Sequence, residues 1–352
     1  LRVSDKVRVA MNRYFEINRT EDGLRTGKLV VNGLELRTPL LVHSENVIRY
    51  LRPEQVRATN TKALYYDPIV LAEKLDKRDL ADLPDLHRVL GWQGVFFTTS
   101  GAAEIGKLAK PRGYKTNGIN FRLPNQGQLI SLSPKKAIQL QEQLGADITE
   151  QLYRDVNYYA PVDDLAAAVE LTGRWYLTNQ NELFPITGGG LKKLHRQSVD
   201  SVTGQQPFGY FITQTEQIDS LAEIERNLSA IIKLLPFESL RVTKTRANFE
   251  QLTTVIRSGI DVVYSDVAVH EAVMGNALVD NGKRLNFTRE SFSNDWEAID
   301  PECQCPVCTS HYSRAYLHYL ARINSPQYIS LILEHNLFWL NQFVANLSSK
   351  IK

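Results

Sequence analysis

The chain has 352 residues, 43% of them hydrophobic and 23% charged, with a formal net charge of +2. That composition suits one large soluble domain or two ordinary ones, with a core that needs no disulfides. The near-neutral balance excludes a nucleic-acid binder that works by overall charge, so any such role must rest on a local basic patch.

The first residues, "LRVSDKVRVAMNRYFEINRT", are charged throughout and lack the apolar centre of a signal peptide. No window reaches the roughly 18 uninterrupted apolar residues of a membrane span. The nearest, "YISLILEHNLFWLNQFV", is broken by Glu334, His335 and Asn336. A cytoplasmic protein is expected.

"YFEINR", "GKLVVNG" and "TPLLVHS" read as short strands of a β-rich cap. "GVFFTTSG" is a strand running into a turn. "SPKKAIQLQEQLG" predicts a helix that Ser133 caps, Pro134 opens and Gly145 ends. "ELFPITGGG" is a strand and glycine turn, followed by a helix in "LKKLHRQSVDSV". Strands in "FGYFITQ", "SLRVTKT" and "IDVVYS" then alternate with helices in "SLAEIERNLSAIIKLL" and "FEQLTTVIRSG". This alternation builds parallel sheets, and so many units in one chain favour an α/β fold of the (β/α)8, or TIM, barrel type over an open sheet. No G-x-G-x-x-G follows a strand, which argues against dinucleotide binding. The expected division is an N-terminal antiparallel cap at 1–60, a barrel at 61–300 and a helical subdomain packed on it at 301–352, which holds the cysteines.

All three cysteines lie in "ECQCPVC": Cys303, Cys305 and Cys308. Disulfides this close would be strained, whereas three thiolates so spaced converge on one tetrahedral zinc. His311, His318 and His335 are candidates for the fourth ligand. His335 is favoured, because its helix must fold back on "YSRAYLHYLAR" and a metal bond would staple the two. Four protein ligands leave no open position, so one structural Zn2+ is expected. The alternative is three unligated buried thiols.

With "DPECQCPVC", "SRAYLH" and "EHN" together, the chain resembles the tRNA-guanine transglycosylases. These are zinc-containing (β/α)8 barrels that exchange a tRNA guanine for a 7-deazaguanine. "LSPKKAIQLQEQLGADI", "ELFPITGGGLKKLHRQS", "LPFESLR", "RSGIDVV" and "NGKRLNF" extend the likeness over most of the chain. It also implies His335 as the fourth ligand, at a spacing from Cys308 one residue longer than usual.

Base exchange needs a carboxylate to attack the anomeric carbon, a second acid or base, and groups that read the purine. Here the chain departs from the family. In "GIDVVYSDVAVHEAVMGNA", Tyr264 takes the place of the nucleophilic Asp. In "TTSGA", Thr99 takes the place of the second aspartate. The base-reading Asp falls on Tyr153, the Gln of V-Q-G-G on Gly188, and the glycine pair of A-I-G-G-L on Thr213 and Gln214. Asp261 and Asp266 flank Tyr264 as substitute carboxylates. Lys107, Lys110, Arg112 and Lys115 form one basic cluster; Lys244, Arg246, Lys283 and Arg284 are further candidates for RNA contact.

These substitutions resemble the accessory subunit of queuine tRNA-ribosyltransferase, which lacks the nucleophile. The resemblance implies tRNA and a catalytic paralogue as partners, in a heterodimer, or else a homodimer. It implies a cytoplasmic site that includes the mitochondrial outer surface. The rival readings are an active transglycosylase with altered residues, working on tRNA or another nucleic acid, and a stand-alone RNA- or protein-binding barrel.

Overall fold

The computed structural model describes residues 13–21, 23–74, 84–124, 127, 129–176, 182–205 and 207–349. An antiparallel sheet comes first: β1 (Arg13–Glu21), β2 (Leu24–Val31) and β3 (Leu34–Thr38). Leu29, Val31 and Leu36 of this cap join the cluster of side chains that fills the barrel interior.

The cap is shorter than the sequence suggests. The stretch "TPLLVHS" does not add a cap strand. Instead β4 (Leu40–Ser44) is the first barrel strand, parallel to its neighbours and buried at all five residues. The reason is its unbroken apolar run, Leu40-Leu41-Val42, which suits a strand covered on both faces and not a half-exposed hairpin. The barrel therefore begins at residue 40 and not at 61.

From there β4 leads to α1 (Pro53–Ala58), β5 (Ala63–Tyr66) to α2 (Pro68–Lys74) and α3 (Leu86–Leu90), and β6 (Val95–Thr98) to α4 (Ala102–Leu108). A small antiparallel sheet of β7 (Tyr114–Lys115), β8 (Gly118–Arg122) and β9 (Leu129–Leu132) precedes α5 (Pro134–Gln143) and α6 (Val162–Arg174). Then β10 (Leu183–Ile186), α7 (Lys192–Asp200), β11 (Gly209–Ile212), α8 (Leu221–Ile232), β12 (Leu240–Lys244), α9 (Phe249–Arg257) and β13 (Val262–Ser265) alternate as expected. Ser133 caps α5 as its sequence predicts, its side chain accepting from the Lys136 amide at 3.3 Å.

The parallel sheet has the order β10-β11-β12-β13-β4-β5-β6. Its two edges meet across residues 148–150, where Phe97 bridges to Ile148 and Glu150 to Leu183, both in parallel. This short eighth strand closes the ring and is held by Gln141 of α5. Gln141 Oε1 accepts from the Glu150 amide at 2.8 Å, and its Nε2 donates to the Glu150 carbonyl at 2.9 Å.

After β13 come α10 (Val267–Val273), the hairpin β14 (Asn276–Val279) and β15 (Lys283–Asn286), α11 (Pro306–Thr309), α12 (Arg314–Arg322) and α13 (Pro326–Ser349). Helix α13 packs on α1, α10, α11 and β14. Among the described residues no helix is long and apolar enough to cross a membrane.

A buried ion pair ties the cap to the barrel floor. Arg25 of β2 lies 3.2 Å from Asp261, with both side chains at most 1% exposed. Its guanidinium also donates to the carbonyls of Phe237 (2.9 Å) and Ser239 (3.2 Å). Asp261 Oδ2 accepts from the Arg241 amide at 2.8 Å. Removing one partner leaves an uncompensated buried charge, so we expect Asp261→Ala to lower stability by about 3–5 kcal/mol. Urea unfolding of the two proteins measures this, and a loss near zero would show that the pair does not hold the floor.

Candidate functional site at the barrel mouth, and a metal cluster

Side chains alternate along a strand, so every second residue of each barrel strand points inward. At the carboxyl ends this alternation builds an aromatic layer. Tyr65 and Tyr264 stack with centroids 4.8 Å apart at 11°, and Phe97 and Phe211 contact Tyr264 at 5.8 and 5.6 Å. Tyr264 is fully buried, and its hydroxyl finds no hydrogen-bond partner among the described residues. Burial, reinforced by the nearby Glu150 carboxyl, raises this phenol well above its ordinary range and keeps it neutral.

Above that layer opens a cavity of about 190 Å³, lined by Tyr65, Asp67, Thr99, Glu150, Tyr153, Phe211, Glu216, Lys244 and Asp266 among others. Thr99, where the resemblance implies an aspartate, donates to Asp67 Oδ2 at 2.5 Å. Asp67 follows β5 directly and so brings a carboxylate to the neighbouring strand. Asp266 continues the inward face of β13 one step beyond Tyr264, and its Oδ2 accepts from the Tyr65 hydroxyl at 2.9 Å. Glu150 Oε1 accepts from the Ser100 hydroxyl (2.7 Å) and amide (3.2 Å), leaving Oε2 buried and unpartnered among the described residues. The strand-to-helix turn carrying Ser100 depends on Gly101, whose φ is +78° and where a Cβ would meet Ile69 Cγ1 at 2.5 Å.

The carboxyls strain against burial. It raises Asp67 and Glu216 above the usual carboxylate range, and Glu150 to about 8 despite the two Ser100 hydrogen bonds that oppose the shift. Lys244 is the nearby cation. Burial alone would lower its pKa, but Asp266, Glu216 and Asp67 outweigh that and raise it. Its ammonium sits over the Tyr65 ring at 5.4 Å.

The other residues singled out by sequence fall into three groups. Tyr153 lines the cavity, buried. Gln214 ties loops together instead of facing a base: its Oε1 accepts from the Gly189 amide at 3.0 Å and its Nε2 donates to the Val156 carbonyl at 2.6 Å. Thr213 donates to the Ile186 carbonyl, and Gly188 lies against Leu194 and His195. Asp261 is not a substitute nucleophile, because it sits on the floor of the barrel, committed to Arg25. Lys244 lines the cavity. Arg246 is bound to Asp219 at 2.6 Å and the Gln217 carbonyl at 3.0 Å, and Arg284 to Glu271 at 2.8 Å. Lys283, Lys110, Arg112 and Lys115 are exposed. Asp67, Glu150 and Glu216 were not anticipated. For Asp67 and Glu150 the signal available was parity, since each falls at an inward position at a strand end; Glu216, in the turn after β11, carries no such signal.

The cysteines behave as predicted. Sulfurs of Cys303, Cys305 and Cys308 and one ring nitrogen of His335 all lie within 4.8 Å of one another. His335 Nδ1 is 3.5 Å from Cys305 Sγ and 3.4 Å from Cys308 Sγ. Tetrahedral zinc, with Zn–S of about 2.3 Å and Zn–N of about 2.0 Å, demands S···N edges of about 3.5 Å. His335 Nε2 lies 2.8 Å from the Leu278 carbonyl, which only accepts, so Nε2 carries the proton and Nδ1 presents its lone pair. Asn336 pairs with both the Leu278 amide (2.8 Å) and the Asn276 carbonyl (2.9 Å), so the "EHN" run clamps α13 to β14. The set fits one structural zinc that joins α11 to α13. His318 is occupied elsewhere, with Nδ1 2.8 Å from the Phe287 carbonyl.

Two outcomes follow from this geometry. The purified protein should carry one equivalent of zinc, and Cys305→Ala should lose it and melt roughly 5–10 °C lower. Unchanged melting of a metal-free protein would contradict the staple. Glu150, raised from 4.5 to about 8, contributes stability below pH 4.5 that is lost as pH rises through about 8. Relative to wild type, Glu150→Gln should therefore gain a few kcal/mol between pH 5 and pH 8.5 in urea unfolding. A difference independent of pH would refute the raised pKa.

Comparison with known proteins places this geometry. A family profile described as queuine tRNA-ribosyltransferase matches residues 21–352. A protein of that name from Cyanothece sp. is 30% identical over 313 residues, covering 86% of this chain and 82% of its own. Another from Shewanella frigidimarina is 27% identical over 350 residues, covering 96% and 93%, and one from Blochmanniella floridana is 25% identical, covering 96% and 92%. The chain belongs to the queuine tRNA-ribosyltransferase, or tRNA-guanine transglycosylase, family.

Proposed function

We propose that the protein is a non-catalytic, tRNA-binding subunit in 7-deazaguanine exchange, the chemistry of queuosine modification, and that it pairs in the cytoplasm with a catalytic paralogue. Tyr264 carries this reading. Covalent attack on the anomeric carbon needs an ionised carboxylate. A phenol that is fully buried, stacked on Tyr65 and held neutral supplies none. Thr99, at the second acidic position, spends its hydroxyl on Asp67. The relatives' shared name supports tRNA as the nucleic acid. The exposed Lys110, Arg112 and Lys115, in the segment that follows α4, offer phosphate contacts.

A second reading has one observation in its favour. Asp266 lies two residues beyond Tyr264 on the inward side and lines the cavity, with Oδ1 unpartnered among the described residues. An active enzyme would use this shifted carboxylate.

Labelled-guanine incorporation into tRNA separates the two. We expect no incorporation by the purified chain alone, and exchange together with a stable 1:1 complex once the catalytic paralogue is added. Formation of a homodimer that leaves the paralogue unbound would overturn the pairing. Exchange by the chain alone, abolished by Asp266→Asn, would establish the second reading instead.

A further inference from the structure

The antiparallel cap is joined to the barrel floor through Arg25 and Asp261, and again through Asp147. The first joint uses an arginine, which stays charged across the whole working range of pH. Asp147 directly precedes the 148–150 strand and so lies on the same floor side. Asn32, in the turn between β2 and β3, donates through Nδ2 to Asp147 Oδ1 at 2.8 Å. Arg13 of β1 donates to the Asp147 carbonyl at 2.8 Å. From the barrel, the Phe96 amide of β6 donates to Oδ2 at 2.8 Å, and Nε2 of His87, on α3, lies 3.1 Å from the same oxygen. Cap, barrel strand and helix thus meet on one residue.

The imidazole of His87 meets an acceptor at each nitrogen. Nδ1 is 2.9 Å from the Trp92 carbonyl, which only accepts. Nε2 faces a carboxylate whose two oxygens already receive the N–H groups of Asn32 and Phe96. A neutral imidazole has one N–H, so one of these contacts would set two lone pairs against each other; the imidazolium satisfies both. The ring stands edge-on to Phe96 with centroids 4.6 Å apart and is 30% exposed, so solvent protons reach it. Asp85, the cap residue of α3, adds a second negative charge beside it. Burial works against the cation, but the Asp147 and Trp92 hydrogen bonds and the charges of Asp147 and Asp85 outweigh it and raise the pKa. Of the other charged or titratable groups around the ring, Arg57 donates to the Gly91 carbonyl at 3.3 Å, Arg13 is engaged at Asp147, and Tyr66, packed on Phe96, is kept neutral by burial.

We propose that His87 is a proton-operated latch: as an imidazolium it holds Asp147, and with it the β2–β3 turn of the cap, to the barrel, and losing its proton loosens that hold. A histidine whose pKa in the fold lies above its free value of 6.5 contributes stability that is fully present below 6.5 and is lost as pH rises through the folded value. The latch is therefore closed on the acid side and loosens toward alkaline pH, while the Arg25 joint holds throughout. The barrel itself stays closed, because the Asp147 and Ile148 amides keep their bonds to the Phe96 carbonyl, at 2.9 and 3.1 Å. The change is confined to the edge of the cap that Asn32 carries.

Nitrogen-15 spectra of ring-labelled histidine, with hydrogen exchange read by mass spectrometry, test the latch on the full-length, zinc-loaded protein. The His87 signals, identified by their absence from His87→Gln, should report both ring nitrogens protonated, with a midpoint above the 6.5 of free histidine. After correction for the intrinsic pH dependence of exchange, the peptide spanning 29–36 should lose protection about tenfold across that titration. His87→Gln has no titrating group there and should lose the pH response. Asn32→Ala, at an exposed turn position, keeps the test valid if the first variant does not fold: it should remove the response of the turn and leave the His87 titration in place. A His87 midpoint at or below 6.5, or a turn whose exchange responds to pH equally in the wild type and in the variant that folds, would each overturn the latch.

Discussion

The two-residue alternation of β13 is the constraint on which the rest of the site depends. Val262, Tyr264 and Asp266 point into the barrel, and Val263 and Ser265 point away. A tyrosine at the middle inward position reaches the barrel axis, where Tyr65, Phe97 and Phe211 close around it. Aromatic contacts of this kind contribute about 0.5–1.5 kcal/mol each beyond the area they bury. The ring therefore belongs to the core of the barrel, and the only acid that β13 presents to the cavity lies one step further out.

The same logic repeats around the ring. Inward positions at the carboxyl ends of β5, β6, the 148–150 strand and β12 carry Asp67, Thr99, Glu150 and Lys244. Hydrogen bonds fix most of this ring: Thr99 on Asp67, Ser100 on Glu150, and Tyr65 on Asp266 beyond β13. The mouth is thus an ordered polar ring over an aromatic floor, in the place where barrels of this type keep their chemistry. Below the floor, Arg25 and Asp261 join the cap to the barrel. At the far end of the chain the Cys3His set fixes α13, which in turn packs on α1 and α10. Scaffold and mouth thus have separate supports.

The sequence made the scaffold legible. Periodic helices with clear caps, such as α5 behind Ser133, sit where their patterns put them. The cysteine spacing located the metal cluster, and the fold-back of α13 identified His335. Less was legible where partners are distant in sequence. Leu40–Ser44 looks like one more hairpin strand, because its real neighbours are Ala63–Tyr66 and Val262–Ser265, the latter over 200 residues away. The 148–150 strand is too short and irregular to show periodicity. Asp67, Glu150 and Glu216 look like unremarkable surface acids in the linear chain, and only ring closure brings them together. Asp261 and Asp266 both lie within three residues of Tyr264, yet opposite ends of the barrel receive them, because one precedes the strand and the other follows it.

On the proposed reading, no residue of this chain bonds covalently to the ribose of tRNA. Its most direct test is denaturing electrophoresis, with mass spectrometry of the bands, after the purified chain is incubated with tRNA and free base and quenched in acid. The account predicts that protein and RNA migrate separately at every time point. A covalent species that maps to Asp266, or to any other carboxylate of the mouth, would contradict it.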